Sequence, residues 1–416
     1  LPARSSSASP DRAVSFATPP AAPPAATGAP PPPAIAPAER RRGLVALFAS
    51  TFFELTGFFM FAPLLLFTLK AQGMATAQAG LFSALLWAGI GAATPFAARW
   101  VRWLGRRRAL VASVTVPLVT LLGITLTSST PLWALLYFTA GTATALRWIL
   151  AEATVAELAP AHRRGRVVGL FETMVGLTFV LGPALLAWVG TEGEAAQRSR
   201  WVAVALVAVG FAFTLMLPPL APSVHDRATR LGWRGIGDAI RAAPAVMIAG
   251  LAGGFFESGL AGVLPLYGLA MGFGAALAAL LVSASGLGGT LMMLPLGEAS
   301  DRLPRRAVAI GCAAATLAAT LLLPFVGAFG PLAALIAFVC GGAGGALYTV
   351  SMIEIGHRHE GTALVNATAV LVLSYTVGAM LAPALGAAAL QWAPGWGFPT
   401  LLAAMAAAAL VALARR

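Results

Sequence analysis

Two glutamates stand where a membrane-spanning chain has least use for charge. Glu54 closes the triplet Phe52-Phe53-Glu54 inside an apolar run from Leu44 to Leu69, and Glu257 closes Phe255-Phe256-Glu257 inside another run, 244–271. About 20 apolar residues cover the ~30 Å of hydrocarbon in a bilayer. At ~1.5 Å per residue from the charged edge at Arg42, Glu54 falls near the midplane. An ionisable group at that depth is costly and marks a functional site by default, facing a protein interior or a water-filled cavity. Each triplet is followed by a proline, Pro63 in the first copy and Pro265 in the second, where the helix is expected to kink. Two copies of one intramembrane acid predict two halves facing one cavity. Such an acid can switch between charged and neutral forms as its surroundings change, which is what a proton carrier needs.

The elements that must position these acids follow from composition. Of 416 residues, 59% are hydrophobic and 10% charged, and the mean hydropathy is +0.84, which excludes a soluble domain and implies a polytopic membrane protein. Twelve apolar runs can be counted, at about 44–69, 75–98, 109–127, 131–157, 166–189, 201–221, 244–271, 275–297, 307–327, 331–355, 361–389 and 394–414. The fold class expected is an all-α membrane protein with twelve transmembrane helices in two pseudo-symmetric six-helix halves. The net charge of +12 does not signal nucleic acid, because the arginines sit in short loops between runs. Arg99, Arg102 and Arg106 to Arg108 follow run 2, Arg163, Arg164 and Arg166 follow run 4, and Arg302, Arg305 and Arg306 follow run 8. By the positive-inside rule this places both termini in the cytoplasm, with the chain in the inner membrane. Residues 1–38, rich in Pro and Ala, are expected to form a disordered cytoplasmic tail. Residues 39–222 and 244–416 form the two halves, and 223–243 a basic cytoplasmic linker. No secretory signal is expected at the start, so the first run would itself target the membrane.

The halves also match outside the acids. Leu104-Gly105-Arg106-Arg107 after run 2 parallels Leu303-Pro304-Arg305-Arg306 after run 8, and Gly182-Pro183-Ala184-Leu185 parallels Ala382-Pro383-Ala384-Leu385. A parallel six-plus-six repeat is the pattern of transporters whose substrate lies between the halves. With Gly297-Glu298-Ala299-Ser300-Asp301-Arg302-Leu303-Pro304-Arg305-Arg306, a glycine four residues before Asp-Arg and then two basic residues, everything after residue 40 resembles the major facilitator superfamily. Gly345-Ala346-Leu347-Tyr348 and Leu373-Ser374-Tyr375-Thr376-Val377-Gly378 resemble its YcaD-type branch. The resemblance implies that runs 1, 4, 7 and 10 line the cavity. It also implies that Asp301, Arg302 and Arg305 belong to a cytoplasmic gate, and that the Gly182-Pro183 kink, which Pro383 matches in the second half as a helix kink, ends an antiporter motif. One departure stands out. The position matching Asp301 is Arg102, and the expected glycine is Ala98, so the gate would be an exchanged latch of Arg102 or Arg106 with Glu360. The plainer alternative is that Arg102 only supplies inside charge.

The cavity runs carry Glu54, Arg147, Glu257 and Tyr348, with Phe53 and Phe256 beside the acids as an apolar surface for solute. A structural alternative pairs Glu54 and Glu257 with Arg147 or with backbone at the proline kinks. Counted from Pro131, Arg147 lies ~24 Å along its helix and level with Glu172, ~9 Å into run 5, so an Arg147–Glu172 pair competes with solute binding. Glu152, Glu157 and Glu354 read as gate or interface charges, and His357 and His359 as incidental loop residues. Cys312 and Cys340 are lone, with neither disulfide nor metal spacing. Neither nucleotide loop nor catalytic motif occurs, so no cofactor, metal or enzymatic activity is expected. The reading is a monomeric secondary transporter in the lipid bilayer, moving a small organic solute by alternating access, coupled to protons and directed outward. An uncoupled facilitator or importer, or a non-transporting receptor or scaffold, are the alternatives.

Overall fold

Long apolar stretches without water can satisfy their backbone only as helices, and helices are what they form. The computed structural model describes residues 36–160, 164–218, 237, 240–241, 243–326, 329–358 and 361–415. Most of the tail and most of the 223–243 linker thus lie outside the described residues. The first half holds α1 (Pro37–Ala71), α2 (Thr76–Ala93), α3 (Ala97–Leu104), α4 (Arg106–Leu126), α5 (Thr130–Leu158), α6 (Arg164–Val189) and α7 (Gly193–Leu215). The second holds α8 (Pro244–Ala270), α9 (Ala275–Arg302), α10 (Arg305–Leu322), α11 (Gly330–Arg358), α12 (Gly361–Trp392) and α13 (Gly397–Ala414). Twelve of these helices are long and apolar enough to span a bilayer. The remaining one, α3, is not expected from the apolar runs. It follows a turn at Pro95, buries Ala97 and Val101, and exposes Arg99, Arg102 and Trp103. Gly105 then turns the chain into α4 at φ 77°, a left-handed conformation that suits glycine. Helix α1 starts seven residues before its apolar run, with Pro37 in its first turn and Glu39 toward the positive end of the helix dipole.

The repeat read from short motifs is also a repeat of contacts. A Cβ on Gly89 would stand 2.2 Å from the Phe138 carbonyl oxygen, and one on Gly288 would stand 1.9 Å from that of Phe338. Gly141 against Leu86 and Gly341 against Ser285 are the return contacts, with 2.0 and 2.1 Å. Helix α2 therefore crosses α5, and α9 crosses α11, backbone to backbone, as small residues allow in membranes. Between the halves, α2 packs on α12 and α6 on α9.

Prolines lie inside α1, α4, α6, α8, α9 and α12, at Pro63, Pro117, Pro183, Pro265, Pro295 and Pro383. Pro383 has no N–H for the carbonyl four residues earlier, and the Ser258 hydroxyl of α8 donates to that Ala379 oxygen at 2.7 Å. Gly182 serves a crossing as well as the Pro183 bend. Its Cβ would meet the Phe59 Cβ at 2.7 Å and the Met60 nitrogen at 2.8 Å on α1.

The core is divided unequally. Toward the face away from the arginine-rich loops, one continuous cluster joins both halves, running from Phe61 and Trp133 to Tyr267 and Phe398. Toward the arginine-rich face the buried residues separate into clusters, each within one half: Leu47, Leu110 and Phe171 in the first, Val308, Leu347 and Leu413 or Val246 and Leu371 in the second. The halves are fused at one face and parted at the other.

Candidate transport site

The two triplet glutamates sit at equivalent places and have different neighbours. Glu54 on α1 is 4% exposed, and its Oε2 lies 2.9 Å from Nε of Arg147, itself 3% exposed, on α5. The same guanidinium donates through Nη2 to Ser50 at 2.6 Å and Thr51 at 3.0 Å. Ser50 in turn meets Thr214 of α7, and Gly210 comes so close that its Cβ would stand 2.9 Å from the Glu54 nitrogen. This acid is thus enclosed among α1, α5 and α7. Arg147 is paired with Glu54 and not with Glu172.

Glu257 on α8 is half-buried, and the group that its carboxylate faces is a phenol, that of Tyr375 on α12. The Tyr375 ring lies 4.8 Å from that of Tyr348 on α11 and 5.9 Å from Trp87, which belongs to α2 of the other half. Where Ser50 receives Arg147 in the first half, the second half has Gly253, whose Cβ would meet that of Tyr348 at 2.7 Å. The α11 backbone at Tyr348 thus approaches α8 closely there. Tyr348 lies within electrostatic range of Glu257 and also of Glu152, across the gap on α5. Glu152 interacts likewise with Glu172 on α6, and accepts from the indole N–H of the exposed Trp148 at 2.5 Å. Tyr375, Tyr348 and Trp87 thus bring aromatic rings of both halves together beside Glu257, and Glu152 interacts with Tyr348 from α5. A Cβ on Gly345, one turn from Tyr348, would meet nothing within 4 Å.

The phenylalanines beside the two acids differ in burial. Phe256 is fully buried, with its ring 2.7 Å from where a Cβ on Gly344 would be, and Phe53 stacks on Phe213 of α7 at 6.0 Å.

At the arginine-rich face each half is tied by the same kind of pair. Arg106 at the start of α4 meets Glu157 at the end of α5 at 2.5 Å and Thr154 at 3.1 Å. Arg305 at the start of α10 meets Glu354 at the end of α11 at 3.5 Å. Arg306 donates to the last carbonyls of α13, at Leu413, Ala414 and Arg415. Arg302 bonds Glu298 one turn away on the same helix. Arg106 is thus engaged within its own half, while Glu360, the other member of the expected latch, lies outside the described residues. Asp301 is the penultimate residue of α9, just before Arg302.

Twelve spans in two halves, sharing one core at one face and holding separate cores at the other, find a counterpart among known proteins. The Major Facilitator Superfamily model matches residues 47–353 and 246–416. The chain belongs to this superfamily. It is 23% identical over 334 residues to the uncharacterized MFS-type transporter YfkF of Bacillus subtilis, covering 79% of this chain and 83% of that protein. It is 25% identical over 343 residues to the uncharacterized MFS-type transporter YcaD of Salmonella paratyphi A, covering 79% and 84%. In structure it is similar to a single-residue variant of the nucleoside transporter NupG, with TM-score 0.73 at 15% identity over 89% of this chain and 98% of that one. A D-xylose-proton symporter gives TM-score 0.66 at 16% identity, over 89% and 97%. These superfamily structures establish the fold, and the side chains between the halves distinguish one member from another.

Sequence reasoning places Glu257 and Tyr348 but not their company. Tyr375 stands in a branch motif without a role, Glu152 reads as a gate charge, and Trp87 attracts no reading at all. The signal available is that Glu152 and Trp148 are one turn apart on one helix face.

Proposed function

We propose that the protein is a proton-coupled exporter of a small organic cation, working by rocking of its two six-helix halves. The observation that carries this reading is the environment of Glu257. It stands between the halves against Tyr375, with Tyr348 beyond that ring, and no arginine or lysine is paired to it among the described residues. A carboxylate without a fixed countercharge must find its cation in the proton or in the solute, and competition between the two is exchange. Trp148 and the tyrosines offer ring faces that attract a cation or stack on an apolar one. Arg147, which would have drawn an anionic solute, is already neutralised by Glu54. Uptake instead of export uses the same chemistry, so direction rests on the antiporter-like Gly182-Pro183 segment. In the proposed topology the arginine-rich face is cytoplasmic, the chain acts as a monomer in the inner membrane, and the parted state is inward-open.

The test is proton release from purified protein on adding candidate solutes, with wild type compared to Glu257→Gln and Glu54→Gln. Release that is lost in Glu257→Gln and kept in Glu54→Gln is the expected result. Solute binding with no proton release would overturn the coupling and leave an uncoupled facilitator. Absence of transport with both glutamates freely replaceable would point to a receptor or scaffold.

A further inference from the structure

Two grooves on the outer wall of the first half share one chemistry. In the first, Arg41 and Arg42 of α1 stand above Val45, with Phe213 and Met216 of α7 as the opposite wall, around about 400 Å³. In the second, Arg107 and Arg108 of α4 stand above Val111, Ala112, Thr115 and Val116, around about 620 Å³. All four arginines are exposed, and none makes an ion pair or hydrogen bond with a described residue. Their neighbours differ: Arg106 and Arg305 each hold a glutamate. Arg107 and Arg108 also lie in the first turn of α4, where the helix dipole disfavours a cation and favours an anion. Beneath the second pair the wall is largely apolar, lined by Val111, Ala112 and Val116, and the Thr115 hydroxyl is spent on the Val111 carbonyl at 2.8 Å. From Arg108 to Val116 that wall descends ~12 Å into the hydrocarbon.

We propose that these two grooves bind anionic phospholipids, the phosphate on the arginine pair and an acyl chain along the apolar wall below. A soluble phosphate would use the arginines and leave the wall exposed, whereas a phospholipid satisfies both. The guanidinium fork matches phosphate oxygens in pairs, which a zwitterionic headgroup with its own cation answers less well. Helix α3 extends the second site. It leads through Leu104 into that groove and lays Trp103 and Arg102 on the surface at headgroup level.

The experiment is native mass spectrometry of the full chain, delipidated in detergent and titrated with phosphatidylglycerol, with phosphatidylcholine of the same acyl chains, and with glycerol 1-phosphate. Two phosphatidylglycerol molecules held on the order of tenfold more tightly than phosphatidylcholine are expected, with no competition from glycerol 1-phosphate. Arg41→Gln with Arg42→Gln removes one bound lipid, and Arg107→Gln with Arg108→Gln removes the other, each arginine weakening binding on the order of fivefold. The corresponding lysine variants keep most of the binding. Equal retention of the two lipids by wild type, which needs no variant to fold, overturns the proposal. So does retention of phosphatidylglycerol unchanged in the four-glutamine variant, or its displacement by glycerol 1-phosphate at equal concentration, which would make these soluble-anion sites.

Discussion

Glu54 and Glu257 occupy equivalent positions in the two halves, yet the first meets the guanidinium of Arg147 at 2.9 Å and the second the phenol of Tyr375. One repeat thus holds a neutralised pair and the other an acid open to the gap between the halves. The same carboxylate thus has different neighbours in the two halves.

The division predicts opposite phenotypes. Glu54→Gln leaves Arg147 buried without its countercharge, which costs about 3–5 kcal/mol, so the melting temperature in detergent should fall sharply. The double variant Glu54→Gln/Arg147→Gln should recover part of that loss. Glu257→Gln should melt near wild type and lose solute-driven proton release. A thermal-shift series on the four proteins decides this, and equal destabilisation by both glutamate changes would remove the distinction.

Tyr375→Phe tests how Glu257 is held. Only the hydroxyl is deleted, and the ring keeps its contacts with Tyr348 and Trp87 at 4.8 and 5.9 Å. The expected outcome is a displaced pH profile of transport, with stability within about 1 kcal/mol of wild type. An unmoved pH profile would assign Tyr375 to packing alone.

Contacts at the fused face should set the conformational balance. A Cβ on Gly80 of α2 would lie 2.1 Å from the Ala387 Cβ and 2.7 Å from the Pro383 oxygen on α12. Gly80→Leu should therefore force the halves apart there. Cysteine placed at Ser83 should label from that side several-fold faster in this background than with Gly80 intact. Cys312 and Cys340 are buried and should contribute little labelling. Unchanged labelling would mean that this face does not open by separation of α2 from α12.

The two arginine-rich ties should differ in strength. Arg106–Glu157 is shorter and its arginine more buried than in Arg305–Glu354, with distances of 2.5 and 3.5 Å. Double-mutant cycles should give the first pair a coupling of about 1 kcal/mol or more and the second less. The reverse order would show that the geometry of these ties does not govern their contribution.

The sequence alone determined the spans and the repeat, because each depends on local quantities. Apolar length, proline position and loop charge are properties of short stretches, and the bilayer translates them directly into helices. The repeat in Leu104-Gly105-Arg106-Arg107 and Leu303-Pro304-Arg305-Arg306 is legible for the same reason, whereas the matching crossings at Gly89, Gly141, Gly288 and Gly341 emerge only in the packing. What only tertiary structure decided is which way each helix turns its polar side. Helix rotation joined Arg147 to Glu54 in place of Glu172, and put Tyr375 instead of a cation against Glu257. It also carried Glu152 toward the other half. A helix apolar on nearly all sides gives no periodic signal of its facing direction, and partners separated by more than a hundred residues, as Glu257 and Tyr375 are, meet only through packing.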